Sequence, residues 1–178
     1  MDLFELARTE LLRSHESQRH PFLYFSLATF GHYPEARTVV NRKVSRELDI
    51  LFFTDSRSHK VSQIRENPRV TALFYHPKKK LQVRVRGVAN FIDKGDKGYY
   101  QLLERIKKAG NAKDYTTLQA PGSTVEEESD IAFGNEIHFL AIRIKPDDID
   151  VLQLGKEQHN RRCYTLKKGQ WEEAVLTP

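Results

Sequence analysis

Residues 54–60 (TDSRSHK) place hydroxyl and basic side chains at the predicted start of a helix. A helix N-terminus exposes unpaired backbone N–H groups and a partial positive charge, both of which attract anions. Ser58 adds a hydroxyl, and His59 and Lys60 can add positive charge, so the segment could bind a phosphate group. The structural alternative is an ordinary capped helix with a solvated Lys60, and the segment taken alone favours that alternative.

Two arginines in the segment 36–42 (ARTVVNR) could also meet anions. Arg37 and Arg42 are five residues apart, so on a regular strand their side chains point to opposite faces. One guanidinium could then approach a phosphate and the other a second anion, unless a β-bulge changes the alternation. The alternative is a pair of surface arginines on an edge strand, which this segment alone favours.

The segment 80–87 (KLQVRVRG) alternates apolar residues with polar and basic ones. The amide of Gln82 could hydrogen-bond the polar edge of a planar ring. The same face could instead be a solvent-exposed polar stripe, or it could bind RNA with the nearby aromatic residues Phe74 and Tyr75. The sequence contains no glycine-rich dinucleotide motif or Walker loop, and its histidines lack metal-ligand spacing, so no metal site is predicted.

The elements that would position these residues are mostly short β-strands. Many short strands with turn signals and few helices predict a mainly β fold, a closed or split antiparallel barrel. Residues 109–136 are predicted to be irregular. The predicted helices cover about residues 2–14, 55–66 and 96–108, and the predicted strands cover 22–30, 36–44, 49–54, 69–76, 81–91, 137–145, 148–153 and 161–167, with a further strand near 171–176.

Length and composition predict one domain over residues 1–178, because a chain of this size with 39% hydrophobic residues can bury one core. The single cysteine, Cys163, excludes an internal disulfide and suits a reducing compartment, so a cytoplasmic location is expected. No apolar run reaches transmembrane length, and the N-terminus lacks the pattern of a signal peptide. The net charge of +5 favours phosphate-bearing partners: a nucleotide cofactor, a phosphorylated metabolite or nucleic acid.

In their order along the chain, these segments resemble the pyridoxamine 5'-phosphate oxidase family. The matching segments are ARTVVNR, FFTD, SHK, NP and LQVRVRG, at 36–42, 52–55, 58–60, 67–68 and 81–87. YTTLQA at 115–120 and the ending from Trp171 onward resemble two further family segments. The resemblance extends over most of the chain and implies a split barrel that forms a homodimer with flavin mononucleotide (FMN) at the subunit interface.

The resemblance also implies roles for individual residues. It assigns the FMN phosphate to Arg37, Ser58, His59 and Lys60. It assigns the flavin ring and ribityl chain to Thr38, Val39, Val40, Phe53, Thr54, Gln82 and Gln119, with Arg162 from the partner subunit near the flavin. Arg42 and Tyr100 match residues that bind the substrate phosphate, and Arg42, on the cofactor strand, is also assigned to the cofactor site.

Departures from the family pattern lie at positions over the substrate. Leu152 replaces a tryptophan, Gln158 an arginine and Asn160 a histidine. A substrate-phosphate arginine of the family falls on Glu104, with Arg105 adjacent. The cofactor positions mostly match.

The resemblance implies an FMN-dependent oxidoreductase that moves a hydride from a small molecule to FMN. The substrate is left open between pyridoxamine or pyridoxine 5'-phosphate and another small molecule. The alternatives are an FMN reductase-like or flavin-carrying protein without vitamin B6 activity, and an RNA-binding barrel. The RNA-binding alternative predicts a colourless protein with strongly salt-dependent affinity, and it is the least favoured. A membrane partner is not expected.

Overall fold

Alternating apolar and polar residues form the strands of a single antiparallel β-sheet. The computed structural model describes residues 2–178. The helices are α1 (Leu3–Arg13), α2 (His59–Glu66) and α3 (Tyr99–Lys108). The strands are β1 (Tyr24–Phe30), β2 (Pro34–Val44), β3 (Ile50–Asp55), β4 (Arg69–His76), β5 (Leu81–Ile92), β6 (Phe139–Gln153), β7 (Asn160–Lys167) and β8 (Gln170–Val175).

Six of these strands close into a barrel. Their hydrogen-bonded order is β3-β2-β1-β4-β5-β6, and β6 pairs back with β3. The strands β7 and β8 extend the sheet beyond β6. This closure confirms the predicted mainly β fold with an antiparallel split barrel.

The barrel interior is filled by the apolar positions of each strand. On β5, Leu81, Val83 and Val85 are fully buried, whereas the residues between them point to the outer face. Aromatic rings from β1 and β4 meet inside, where the centroids of Phe25 and Phe74 are 4.9 Å apart. Helix α1 packs its stripe of Leu3, Ala7 and Leu11 against the same core, as its spacing predicts.

One predicted break in the sheet is wrong. The two strands predicted at 137–145 and 148–153 are a single strand, β6, which runs straight through Pro146. The register with β5 shifts between Arg86 and Gly87, opposite this proline. A Cβ atom on Gly87 would lie only 2.0 Å from the carbonyl oxygen of Lys145, so glycine is required at this bulge.

The start of β1 also differs from the prediction, because Pro21–Leu23 form a short 3-10 turn and the strand begins at Tyr24. The pyrrolidine ring of Pro21 fixes the first turn of this 3-10 segment.

Among residues 2–178, no helix is both long and apolar enough to span a membrane.

Candidate functional site

Hydroxyl and basic side chains meet where β3 ends and α2 begins. Lys60 Nζ donates a 3.0 Å hydrogen bond to Thr54 Oγ1, which lies 3.1 Å from Ser58 Oγ. Thr54 and Ser58 are buried, and Ser58 is the N-cap residue of α2 without a side-chain hydrogen bond to the helix. We call Arg37, Thr54, Ser58 and Lys60 the basic cluster. His59, also assigned to this site from the sequence, is the exposed first residue of α2.

The charge of Lys60 is only weakly compensated by the protein. Burial lowers the pKa of Lys60, and the nearby Arg37 guanidinium lowers it further, against an opposing effect of Asp55. Asp55 is itself paired with Arg57 at 2.7 Å. In the described part of the chain Lys60 makes no salt bridge, and its hydrogen bond goes to a neutral hydroxyl. An anion placed here would therefore be stabilised by both cations.

Arg37 is fixed by neighbours on β1 and α2. Its guanidinium donates to Thr29 Oγ1 at 2.5 Å and to Gln63 Oε1 at 3.1 Å, and Glu35 lies 3.6 Å away. Gln63 is buried, and its Nε2 has no hydrogen-bond partner among residues 2–178. Sequence reasoning did not identify Thr29 and Gln63, because nothing in the local pattern shows that they converge on Arg37.

Arg42 contributes to a second, smaller site. Its guanidinium carbon lies 5.5 Å from the centre of the Phe53 ring, at an irregularity in the pairing of β2 with β3. The Nε atom of Arg42 is buried and unpartnered in residues 2–178. A cavity of about 110 Å³ opens here, lined by Arg42, Phe53, Arg105, Ile106, Ala109, Asn111 and Tyr115. We call it the Arg42 cavity.

The Arg42 cavity combines two guanidinium groups with a phenol. Burial raises the pKa of Tyr115, although the neighbouring Arg42 opposes this, so the phenol is a neutral hydrogen-bond donor at physiological pH. Two arginines and a hydroxyl donor are suited to bind a phosphate or carboxylate. Sequence reasoning noted Arg105 only as a neighbour of Glu104, and it did not single out Tyr115.

Tyr100 lies outside the Arg42 cavity. Its side chain is 63% exposed, and it lines a separate, open depression that shares Arg105 with the cavity. Glu104, which takes the place of a family arginine, instead forms a 2.9 Å ion pair with Lys107 on the surface of α3. The structure therefore brings Arg105, and not Tyr100 or Glu104, next to Arg42.

The outer face of the sheet carries Gln82 in one row with Leu152 and Arg161. Gln82 pairs with Leu152, and Leu152 pairs with Arg161, so the three side chains share a face. Arg162 pairs with the buried Val151 and lies on the opposite face. Its side chain donates to Asn160 at 2.6 Å and to Glu173 at 3.2 Å. The structure thus does not bring Arg162 to the Gln82 face, but it brings Arg161 there.

The β2 residues assigned to the flavin divide between the two faces of the sheet. Val39 is buried in the barrel, so its backbone alone is available. Thr38 and Val40 pair with Ser26 and Tyr24 on the outer face. That face also exposes large apolar side chains, namely Tyr24, Leu73 and Tyr75 at 55%, 36% and 50%. Exposed apolar groups on one sheet face are typical of a protein–protein contact.

Gln119 lies in the irregular segment after α3. Its side chain is exposed, and its Nε2 donates to the carbonyl oxygen of Asp130 at 3.3 Å. Arg57, in the turn before α2, donates to the carbonyl oxygens of Thr117 and Leu118. The backbone beside Gln119 is therefore bonded to the turn that lies between Thr54 and Ser58.

This chain is similar in sequence to known proteins. Residues 7–93 match the family model described as "Pyridoxamine 5'-phosphate oxidase, FMN-binding domain". The chain is 30% identical over 156 residues to pyridoxine/pyridoxamine 5'-phosphate oxidase 2 of Hydrogenovibrio crunogenus. The aligned region covers 82% of this chain and 73% of the relative. It is 31% identical over 169 residues to pyridoxine/pyridoxamine 5'-phosphate oxidase of Aliarcobacter butzleri, covering 86% and 79% of the two chains.

Solved structures show the same fold. A pyridoxamine 5'-phosphate oxidase-related, FMN binding protein from Nostoc punctiforme superposes with a TM-score of 0.77 at 23% identity, over 100% of this chain and 99% of that chain. PhzG from Burkholderia lata superposes with a TM-score of 0.75 at 17% identity, over 99% and 92%. With the sequence relatives, these similarities lead to one conclusion: the chain belongs to the pyridoxamine 5'-phosphate oxidase family of FMN-binding split-barrel proteins.

Proposed function

We propose that this chain binds FMN and acts as an oxidoreductase of the pyridoxamine 5'-phosphate oxidase type. The observation that carries the proposal is the basic cluster, in which Lys60 and Arg37 lie close together and Lys60 is bonded only to a hydroxyl. The phosphate of FMN is a dianion at neutral pH, and it matches two cations, two hydroxyls and a helix N-terminus. Ser58 supports the fit, because it is buried at the N-cap of α2 and its side chain makes no capping hydrogen bond to the helix.

The flavin ring and ribityl chain would then follow the outer side of β2. Thr38 and Val40 offer side chains there, Val39 offers its backbone, and Phe53 supplies an aromatic wall near Arg42. We propose a homodimer, supported by the exposed apolar side chains on the same sheet face. In that dimer Gln82 would contact the flavin and Arg162 of the second copy would lie near it, with Arg161, which shares the sheet face of Gln82, as the alternative.

The Arg42 cavity would hold the substrate. Arg42 and Arg105 would bind an anionic group of the substrate, and Tyr115 would donate a hydrogen bond to it. When bound, FMN supplies the redox chemistry, which is acceptance of a hydride from the substrate. Phe53, which lines the same cavity, would exclude water from the space between the two sites.

Pyridoxamine and pyridoxine 5'-phosphates are the first substrates to test. Anaerobic mixing of the FMN-loaded protein with each compound should bleach the flavin absorbance if either is oxidised. If neither compound bleaches the flavin while a chemical reductant still does, the result would favour a flavin-carrying or FMN reductase-like protein. The reason to test for that second outcome is that Leu152, Gln158 and Asn160 replace the family's residues over the substrate.

RNA binding is less well supported. Two arginines of the basic strand are already neutralised, Arg84 by the buried Asp150 and Arg86 by Asp148 at 2.7 Å. Paired arginines have little charge left for a phosphate backbone.

We further propose a single domain, supported by the membership of the strands β1 to β8 in one sheet. We also propose a cytoplasmic location, supported by the lone Cys163.

A further inference from the structure

Arg57 joins two parts of the chain that are sixty residues apart. It lies between the segments 52–55 and 58–60 and belongs to neither of these family-like matches. Its Nε and Nη2 donate to the Asp55 carboxylate at 3.1 and 2.7 Å. The same guanidinium donates to the carbonyl oxygens of Thr117 at 2.8 Å and Leu118 at 3.1 Å. One side chain thus connects the β3–α2 turn with the segment after α3.

The segment that Arg57 holds is residues 116–134, which we call the 116–134 loop. It folds back on itself through hydrogen bonds from Leu118 N to Ala132 O at 2.8 Å and from Gly134 N to Thr116 O at 2.7 Å. Its apolar side chains point outward, with Leu118 62% and Phe133 48% exposed. Within the described chain, Arg57 provides the hydrogen bonds between this loop and the β3–α2 turn.

Both ends of the Asp55–Arg57 pair adjoin the basic cluster. Asp55 directly follows Thr54, and Arg57 directly precedes Ser58. An anion bound by the two hydroxyls and by the first turn of α2 would restrict the same backbone that orients Arg57. The guanidinium group of Arg57 makes several hydrogen bonds in fixed directions. Restricting the backbone of residues 54–58 would therefore also restrict the loop that Arg57 contacts.

We infer that Arg57 is a positioning residue that couples the basic cluster to the 116–134 loop, so that FMN binding orders the loop and the loop, through Gln119, strengthens FMN binding. This inference rests on the proposed function, because it requires FMN at the basic cluster and Gln119 at the flavin, the role that the family resemblance assigns to Gln119. Coupling between two parts of a protein is reciprocal, so each effect predicts the other. A merely structural Arg57 would stabilise the fold without linking the two.

The loop itself offers a direct readout. Glu126, Glu127 and Glu128 are exposed within it, so a glutamate-specific protease reports how often the loop opens. The variants are Arg57→Ala, Arg57→Lys and Gln119→Ala, with Arg46→Ala as the matched control because Arg46 is an exposed arginine between β2 and β3. FMN affinity is measured by quenching of flavin fluorescence, and cleavage at 126–128 is followed by mass spectrometry with and without FMN.

FMN should slow cleavage of the wild-type loop, and Arg57→Ala should be cut faster and lose this protection. Its FMN affinity should fall about tenfold, and adding Gln119→Ala should weaken binding no further, as expected for coupled positions. Arg57→Lys keeps the charge but not the fork and should behave like Arg57→Ala. Arg46→Ala should match the wild type.

Three results would overturn the inference. The first is an Arg57→Ala variant whose loop cleavage and FMN affinity equal those of the wild type, and the second is an Arg57→Lys variant that restores both. The third is a loss of FMN affinity in the double variant that equals the sum of the losses from Arg57→Ala and Gln119→Ala. Thermal melting of each variant separates these results from global unfolding. A wild-type protein that takes up no FMN is a different outcome, which overturns the proposed function and the coupling with it. The cleavage rates without FMN would still show whether Arg57 holds the loop.

Discussion

Lys60 Nζ donates to Thr54 Oγ1 at 3.0 Å, across the point where β3 ends and α2 begins. Because Thr54 Oγ1 also lies 3.1 Å from Ser58 Oγ, the ammonium group is held beside the N-cap of the helix. Its hydrogen bond goes to a neutral hydroxyl, so its charge is available to a bound phosphate.

Lys60→Ala should weaken FMN binding. Loss of one charged hydrogen bond costs about 1.5–3 kcal/mol, which is roughly a ten- to hundredfold loss of affinity. Arg37→Ala should behave similarly, because Arg37 shares the basic cluster. Fluorescence titration measures both, with Lys78→Ala in the exposed β4–β5 turn as the control. An effect of Lys60→Ala within the scatter of the titration would show that the phosphate is bound elsewhere.

FMN affinity should also depend on the charge of Lys60 at alkaline pH. Burial and the nearby Arg37 lower the pKa of Lys60 in the ligand-free protein, and a bound phosphate favours the charged form and raises this pKa again. Affinity should therefore be steady below the ligand-free pKa and fall as the pH rises through it. Lys60→Arg stays charged and should remove this fall. If the FMN affinity of Lys60→Arg falls over the same pH range, the pH dependence belongs to another titrating group.

Substrate binding should depend more on Arg105 than on Tyr100. Arg105→Ala removes one of the two guanidinium groups of the Arg42 cavity, so KM for a phosphorylated substrate should rise about tenfold or more while FMN affinity stays nearly unchanged. Tyr100→Phe should have a smaller effect on KM and none on FMN affinity, because its side chain is largely exposed.

Steady-state kinetics and FMN titration measure these variants together, and Glu104→Ala on the same helix is the control, since Glu104 pairs with Lys107. Equal KM values for Arg105→Ala and Glu104→Ala would argue against substrate binding in the Arg42 cavity. Release of FMN by Tyr100→Phe would show that the division into a cofactor side and a substrate side is wrong.

Asp150→Asn should destabilise the fold. The carboxylate of Asp150 is 1% exposed and accepts hydrogen bonds from Arg84 and from Arg161 at 3.1 and 2.9 Å. Weakening this buried pairing should cost about 2–4 kcal/mol in the free energy of unfolding, measured in urea at pH 7. Asp148→Asn, in the more exposed pair with Arg86, should cost about 1 kcal/mol or less.

The Asp150 contribution should disappear in acid. Burial alone would raise the pKa of Asp150, but Arg161 and Arg84 lower it overall. A carboxylate with a lowered pKa stabilises the fold above its unfolded-state pKa and loses this contribution as the pH falls through the folded value. The difference between wild type and Asp150→Asn should therefore shrink on acidification. A difference that stays constant down to strongly acidic pH would show that the charge of Asp150 is not responsible.

Local patterns were sufficient to predict the barrel strands and the strand–helix junction before Lys60, whereas the phosphate-binding roles of Arg37 and Lys60 came only from the family resemblance. The alternation on β5 and the strand–helix junction before Lys60 depend on neighbouring residues, which the sequence displays directly. Pro146 misled the prediction, because a proline usually ends a strand, whereas here a bulge opposite Gly87 lets β6 continue.

Positions that depend on distant packing could not be read in this way. Whether Arg161 or Arg162 faces the Gln82 side is decided by the register of β6 with β7, which pairs Leu152 with Arg161. Arg105 and Tyr115 join Arg42 only because α3 and the turn after it pack against β3 and β6. No periodicity within either segment reports such a contact.

Titration of the ligand-free protein with FMN and with riboflavin tests the central claim most directly. Riboflavin has the same ring but no phosphate, so the difference between the two affinities measures what the basic cluster contributes. We predict that the protein binds FMN and becomes yellow, with riboflavin bound at least about a hundredfold more weakly because several charged hydrogen bonds to the phosphate are absent. A colourless protein that takes up no added FMN, or equal affinities for the two flavins, would contradict the proposal.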